Sequence, residues 1–232
     1  MVLTGHAQSI ESPNRQLNLT FHVDNGIPYY SLLYKGKIII EKSRLGFEMK
    51  NIPSMVDNFS ILKSSTSAFD ETWEPVWGEV KKIRNQYNEL EITLEQGSPK
   101  RTVIIRFRLY DDGLGFRYEF PNQKNLSYFT IAEEITQFNL GKDYTAFWIR
   151  GDYDTNEYNY TTSLLSEVSH QIDAATEEIS AQTPTKEISV QTPLMLKGNG
   201  VYINIHEAAL KDYPAMLLEL DSTGVILSTH LT

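Results

Sequence analysis

Three stretches of this sequence carry side chains that could do chemistry, at spacings strand packing alone does not require. The first is Ala68–Glu79, AFDETWEPVWGE, with Trp73 and Trp77 four residues apart among Asp70, Glu71, Glu74 and Glu79. Aromatic faces beside carboxylates suit a sugar, because ring C–H bonds stack on indole while carboxylates accept hydroxyl protons. Two tryptophans so placed equally suit a core or interdomain anchor, and both readings stand. The second stretch is Gly151–Tyr160, GDYDTNEYNY, which sets Asp152, Asp154 and Glu157 among Tyr153, Tyr158 and Tyr160. Its carboxylate spacing is that of an oxygen-ligand calcium loop, but the glycine and distal glutamate of an EF-hand are missing. A loop lining a cleft describes it better than a metal cage. The third is Tyr202–Asp212, YINIHEAALKD, where His206 and Glu207 follow alternating Val201, Ile203 and Ile205 at the expected end of a strand. A carboxylate there can project toward a ligand or act as a base. A lone glutamate is as readily structural or solvated.

No complete catalytic apparatus accompanies these stretches. The sequence has no G-x-S-x-G elbow, Walker loop, H-E-x-x-H helix or dinucleotide fingerprint. Gly113 and Gly115 stand in a DDGLG turn with no phosphate-loop context. His6, His22, His170, His206 and His230 are scattered, which argues against a multi-histidine metal site.

The elements that must position these residues read as strands. Leu17, Leu19, Phe21 and Val23 alternate on one face, and Asp24-Asn25-Gly26 turns the chain. Ile27–Tyr34 ends at Lys35-Gly36-Lys37, and Ile38–Ile40 resumes. Leu90, Ile92 and Leu94 alternate up to Gly97-Ser98-Pro99. Val103, Ile105, Phe107 and Leu109 then alternate against Thr102, Arg106 and Arg108. Asp111-Asp112-Gly113 is a turn before Phe116, Tyr118 and Phe120. Asn199-Gly200 joins Leu194–Leu196 to Val201–Ile205, and Asp221–Gly224 joins Ala215–Leu220 to Val225–Leu231. Strands at this spacing with turn chemistry between them predict a sandwich or barrel, without the βαβ rhythm of a parallel sheet.

One stretch breaks the pattern. Residues 161–201 hold no Phe, Trp or Tyr, and Leu164, Leu165, Val168, Ile172, Ala175 and Ile179 recur at helical spacing. This predicts a short amphipathic helix over Ser163–Ser180. EISAQTP (Glu178–Pro184) is then repeated as EISVQTP (Glu187–Pro193), a local duplication in an exposed loop. The second copy, which leads into the Leu194 strand, is expected to be the structural one. The segment 161–193 as a whole reads as an insertion.

The 232 residues carry a net charge of −9 and no cysteine. Lack of cysteine excludes a disulfide scaffold, a thiol nucleophile and thiolate metal sites. The acidic balance argues against a nucleic-acid binder, which needs clustered Lys and Arg. No apolar run approaches the ~18–20 residues of a membrane span. The start, MVLTGHAQS, is too short for a whole signal peptide and lacks its basic region. It reads either as the end of a secretory leader, with the mature chain starting near Gln8, or as an ordinary terminus. Residues 1–11 are accordingly set apart as residual leader or disordered terminus, and 12–232 as one domain.

Six motifs together resemble the N-terminal domain of glycoside hydrolase family 97. They are SRLGFEM (Ser43–Met49), FDETWEPVWGE (Phe69–Glu79), IRNQYNEL (Ile83–Leu90), FRLYDDGLGFRYEFP (Phe107–Pro121), GDYDTNEYNYTTSLLSE (Gly151–Glu167) and QTPLMLKGNGVYINIHEAALKDYPAM (Gln191–Met216). The resemblance runs from about Ser12 to the end. It implies a mainly-β fold, an antiparallel β-super-sandwich like galactose mutarotase, with at most one or two short helices. It also implies a periplasmic or otherwise exported α-glucosidase or α-galactosidase whose catalytic carboxylates lie on a following (β/α)8 barrel. No catalytic residue is then expected in this chain, which alone should be inactive. The partners implied are its own barrel and an α-linked oligosaccharide substrate. In the family a glutamate in a motif like NIHEA reaches an active-site Ca²⁺, and Glu207 in Asn204–Ala208 matches it. A hard cation takes oxygen ligands, and one glutamate alone would hold it weakly. The resemblance also turns the two aromatic stretches toward the barrel or its cleft, giving Trp73, Trp77, Asp152, Tyr153, Asp154 and Glu157 as candidate substrate contacts.

Two other readings are weighed beside this one. A non-catalytic carbohydrate-binding module would use Trp73, Trp77 and Tyr153. An aldose mutarotase would need a paired acid and base, and His206 beside Glu207 is a thin basis because neighbouring strand residues point to opposite faces.

Overall fold

The computed structural model describes residues 7–172 and 188–232. The chain forms two compact units, 1–131 and 132–232.

The first unit is built from two four-stranded antiparallel sheets. One is formed by β1 (Gln8–Glu11), β2 (Leu17–Asp24), β3 (Ile27–Tyr34) and β4 (Lys37–Arg44), in that order. After the short β5 (Phe47–Met49) come β6 (Phe59–Trp73), β7 (Ile83–Gln96), β8 (Arg101–Leu109) and β9 (Leu114–Glu119), again in chain order. The alternation read from the sequence is the burial pattern observed. Leu17, Leu19 and Phe21 of β2 are buried, as are Leu90, Ile92 and Leu94 of β7 and Val103, Ile105, Phe107 and Leu109 of β8. Aromatic rings join the two sheets: Phe107 lies 5.9 Å from Phe21 and 6.2 Å from Tyr30. This sheet-on-sheet core makes the unit a sandwich. The tight hairpin between β2 and β3 needs two left-handed residues, and Asn25 and Gly26 supply them with φ of 49° and 81°. Gly26 is further required by space, since a Cβ there would meet the Asn58 backbone nitrogen at 2.9 Å.

The charged residues of the outer face pair among themselves. Arg106 bridges Glu89 (2.5 Å), Glu91 (2.7 Å) and Glu119 (2.9 Å), and Arg108 reaches Glu89 at 2.7 Å. Burial opposes ionisation of Glu89, but hydrogen bonds from Arg108 and Arg106 hold its carboxyl below the usual range. These charges are consumed within the sheet.

β10 (Ile131–Glu134) carries the chain into the second unit, which holds two more four-stranded antiparallel sheets. One has the order β11 (Gln137–Asn139), β18 (Ile226–Leu231), β17 (Met216–Leu220), β14 (Ser189–Gln191). The other has the order β13 (Thr161–Leu164), β12 (Thr145–Trp148), β15 (Leu194–Gly198), β16 (Val201–Ile205). Buried rows line both: Ala146, Trp148, Leu194 and Leu196 on one, Val190, Leu218 and Leu227 on the other. Asn199 and Gly200, with φ of 52° and 77°, make the β15–β16 turn.

Two expectations are corrected. Gln8–Glu11, placed with a disordered terminus, forms β1 and pairs with Asn18–Phe21. Ile10 is the reason, since it is buried on the sheet's inner face. The helix expected over 163–180 does not begin at Ser163. Ser163 and Leu164 belong to β13, opposite Ala146 and Thr145. Trp148 Nε1–H donates to Ser163 Oγ at 3.0 Å, which fixes that serine in the ladder. A 3₁₀ turn follows at Leu165–Glu167, then one α-helical turn, α1 (Val168–Gln171), which buries Val168. The rest of the expected helix and the first EISAQTP copy lie outside the described residues. The second copy is structural as expected: Ser189, Val190 and Gln191 are buried in β14.

Candidate functional site

The candidate residues fall into two groups, one in each unit. Trp73 and Trp77 stand on the β6–β7 hairpin. β6 pairs with β7 from Phe59 opposite Gln96 to Trp73 opposite Ile83, whereas β8 pairs with β7 only from Asn88 to Gln96. Phe69–Trp73 and Ile83–Tyr87 therefore form a two-stranded ribbon beyond the sheet. Such a ribbon is marginal in water without side-chain support. Here Phe69 stacks on Tyr87 (5.2 Å between ring centroids), and Arg108 lies 4.5 Å from the Tyr87 centroid. Arg84 forks onto both oxygens of Asp70 at 2.8 and 2.6 Å. The hydrogen bond from Arg84 holds the Asp70 carboxyl below its ordinary range. At the tip, Trp73 is 47% exposed, Val76 99% and Trp77 88%. The tryptophans are thus no part of this unit's core. Val80 and Ile83 add to an apolar end that faces solvent in this chain.

In the second unit the Gly151–Tyr160 loop is organised from within. Gly151 is buried where its N–H donates to Ser189 O at 2.7 Å, and a Cβ would strike Ser189 Oγ at 2.0 Å. Asp152 accepts from the Asp154 N–H (2.8 Å) and from the Tyr158 hydroxyl. Burial works against its charge. The bond from Tyr158, the N–H groups of Asp154 and Thr155, and the charge of Arg150 nonetheless hold its pKa low. Asp152 therefore shapes the loop, while Tyr153 (76% exposed), Asp154 and Glu157 face solvent.

Glu207 sits just beyond β16, and both its oxygens are engaged. Oε1 accepts from the Met216 N–H at 2.5 Å and Oε2 from Thr192 Oγ1 at 2.5 Å. The segment before Pro193 gathers the site. Gln191 Nε2 donates to Thr155 O at 2.7 Å, tying it to the 151–160 loop, and the next residue, Thr192, holds Glu207. Beside them lies a shallow groove lined by Phe147, Tyr160, Pro193, Met195 and Asn204 on the outer face of β12, β15 and β16. His206 Nδ1 lies 2.9 Å from the Glu207 carbonyl oxygen, a local contact that sets no acid–base pair.

Thr192 and Met216 were not among the residues singled out by sequence. The only signals for them were the QTP of the repeat and the end of the ALKDYPAM run. The structure brings Glu207 and the 151–160 loop to one β-strand end, and places Trp73 and Trp77 in the other unit.

A fixed carboxylate with a lone pair left on each oxygen suits one ligand position of a hard cation. Among the described residues no three His, Cys, Asp or Glu side chains gather into a metal site. The donor set fits calcium as a contributor of one ligand, not as a cage.

A mainly-β domain of antiparallel sheets, with one hydrogen-bonded carboxylate just beyond a strand end, is the class these observations define. The family described as glycosyl-hydrolase 97 N-terminal matches residues 10–231, and the chain belongs to it. It is similar in structure to a glycoside hydrolase family 97 enzyme from Pseudoalteromonas sp. strain K8, solved in complex with acarbose. The two are 32% identical with a TM-score of 0.82, over 97% of this chain and 32% of that one. A variant of the same enzyme in complex with panose matches to the same extent. A β-arabinopyranosidase shares the fold, at 22% identity and a TM-score of 0.78, over 96% of this chain and 35% of that one. The chain spans about a third of the length of these enzymes.

Proposed function

We propose that this chain is the N-terminal domain of an exported glycoside hydrolase acting on α-glucosides or α-galactosides. In that enzyme it packs on a catalytic (β/α)8 barrel and lends Glu207 to a shared Ca²⁺ site. The observation that carries the reading is the Glu207 carboxylate, held by the Thr192 hydroxyl and the Met216 amide at a strand end beside an open groove. A carboxylate fixed in this way has already lost the freedom that binding would otherwise have to remove. When bound, calcium would orient a sugar hydroxyl or the attacking water. This chain's part is to hold one ligand and to brace the neighbouring domain. The general acid and its partner belong to the barrel, so this domain alone is expected to be inactive.

The test uses the complete enzyme. Glu207→Ala should weaken calcium binding measured by titration calorimetry and lower the rate on aryl α-glucosides and α-galactosides. Unchanged calcium affinity in that variant would remove the role given to Glu207. Hydrolysis of neither substrate by the wild-type enzyme would remove the α-glycosidase assignment.

A second reading is favoured by the exposed Trp73 and Trp77, which suit a carbohydrate-binding surface. Under it, millimolar mono- or oligosaccharide should shift NMR signals of Trp73, Trp77 or Tyr153 in this domain. Silence in that titration leaves the tip to a protein contact.

A further inference from the structure

The loop from His206 to Ala215 contains no helix or strand, and most of its side chains face solvent. Leu210 is exposed and Tyr213 is partly so, so apolar packing does not define the loop's path. Hydrogen bonds at its two ends do. At the first end Glu207 joins Met216 N–H and Thr192 Oγ1, as described. At the second, Tyr213 Oη–H donates to Glu134 Oε2 at 2.9 Å. Glu134 is itself anchored: its Oε1 accepts from Thr136 Oγ1 at 2.5 Å and its carbonyl from Thr229 Oγ1 at 2.6 Å. Thr136 and Thr229 are both buried, and their backbones are joined by Thr229 N–H to Thr136 O at 2.9 Å. Next to Tyr213, Ala215 O accepts from the Thr232 N–H at 3.2 Å. The exposed loop is thus moored at one end to Glu134 of β10, itself held by Thr229 of β18, and at the other to the residue after β14.

Resting on the reading of Glu207 as a cation ligand, we propose that Thr192 and Tyr213 are positioning residues. They hold the Glu207 carboxylate in its ligand orientation before cation or barrel arrives. Thr192 acts directly, by occupying one lone pair of Oε2 and leaving the other free. Tyr213 acts through the loop, by fixing the segment that delivers the Met216 amide to Oε1. Glu134 is the acceptor that makes the Tyr213 mooring work, and its burial raises its pKa above the ordinary carboxylate value. Partners of this kind set the orientation of a metal ligand, and their removal typically weakens metal binding about 10–100-fold.

The test compares Thr192→Val, Thr192→Ser, Tyr213→Phe and Glu207→Ala in the complete enzyme, using calcium titration and amide hydrogen exchange of the metal-free protein. Thr192→Val should weaken calcium roughly tenfold, and Thr192→Ser, which keeps the hydroxyl, should restore it. Tyr213→Phe should weaken calcium by a smaller factor and speed exchange at the Met216 amide without metal present. If Glu207→Ala loses calcium while Thr192→Val and Tyr213→Phe bind it like wild type, the positioning role is overturned and the ligand role survives. That holds even when the two variants melt at lower temperature, because a merely structural role moves the melting point and not the affinity. If Glu207→Ala binds calcium like wild type, the ligand role fails and the positioning role fails with it.

Discussion

The tip of the β6–β7 ribbon and the Glu207 corner differ in what holds them and in what they leave open. The ribbon is defined by its backbone ladder, and its apolar ends, Trp73, Val76 and Trp77, touch little of this chain. The corner joins ladder ends, Leu194 opposite Ile205 and Met216 opposite Leu231, through the 206–215 loop, which has no ladder of its own. Its backbone is irregular, and side-chain hydrogen bonds from Thr192 and Tyr213 decide its shape. An exposed apolar tip is a surface looking for something to cover it. The corner instead holds a carboxylate whose two oxygens are both already engaged, by the Met216 N–H and the Thr192 hydroxyl. The same domain therefore offers two kinds of contact, and their dependence on the rest of the fold should be opposite. Changes at the corner should disturb this domain's own stability. Changes at the tip should spare it.

The largest effect is expected from Glu207→Ala. It strips the acceptor from the Met216 N–H in a partly buried setting, while the Thr192 hydroxyl can turn to the Met216 carbonyl oxygen at 3.2 Å. Unsatisfied groups of this kind cost about 1–3 kcal/mol, to be read as a lower midpoint in urea unfolding. Tyr213→Phe removes one hydrogen bond and leaves the ring in place, so a loss of about 0.5–1.5 kcal/mol is expected. A corner variant that unfolds like wild type would break the contrast with the tip.

The pH response should separate the regions further. Burial raises the Glu134 pKa, with the bonds from Thr136 and Tyr213 opposing. A carboxyl whose folded pKa is raised adds stability below its unfolded pKa, and that stability is lost as pH rises through the folded value. Asp70 on the ribbon is shifted the other way, by its hydrogen bond from Arg84. Its contribution is present above the unfolded value and is lost as pH falls through the folded one. Hydrogen exchange should show the loop near Tyr213 gaining protection as pH drops from neutral toward the ordinary carboxylate range. The ribbon's protection should hold through that window and fall only in stronger acid. Replacing Glu134 with Gln should abolish the first trend and leave the second.

How much of this was legible in the sequence depends on the range of the interaction. The strands were, because alternation such as Leu17, Leu19, Phe21 or Val103, Ile105, Phe107 is a local pattern that burial simply follows. The start of the helix was not. Leu164 fits a helical period with Val168 and Ile172, but it is the last residue of β13, opposite Thr145. Glu207 was singled out through its motif, but Thr192, which hydrogen-bonds it, and Tyr213, which moors its loop, were not. Thr192 is 15 residues away, and the Tyr213–Glu134 bond closes a separation of 79. Nothing in the spacing of Tyr213 and Glu134 announces that contact, which exists only because β18 and the Met216 strand pair. The tryptophan tip was half legible. The composition of Phe69–Glu79 marked it as unusual, while its exposure follows from β8 being shorter than the ribbon it flanks.

The smallest effect on stability, and the sharpest test of the contrast, is expected from Trp73→Ala combined with Trp77→Ala. Losing two tryptophans from a core would cost this domain about 3–5 kcal/mol each. Here one is 47% exposed and the other 88%, so little of their surface is buried by folding. Substitutions at such positions usually stay within about 0.5 kcal/mol, and the urea midpoint of the domain should scarcely move. The ladder beneath them persists, since Arg84 still grips Asp70 and Phe69 still stacks on Tyr87. What should change is what the tip touches. In the complete enzyme, a barrel seated on the tip would make the double variant more susceptible to limited proteolysis at residues 74–82. If the tip serves sugar instead, the double variant should lose oligosaccharide-induced NMR shifts while its cleavage pattern stays that of wild type. A large drop in the stability of the isolated domain would contradict both, because it would mean the tryptophans support this fold from within.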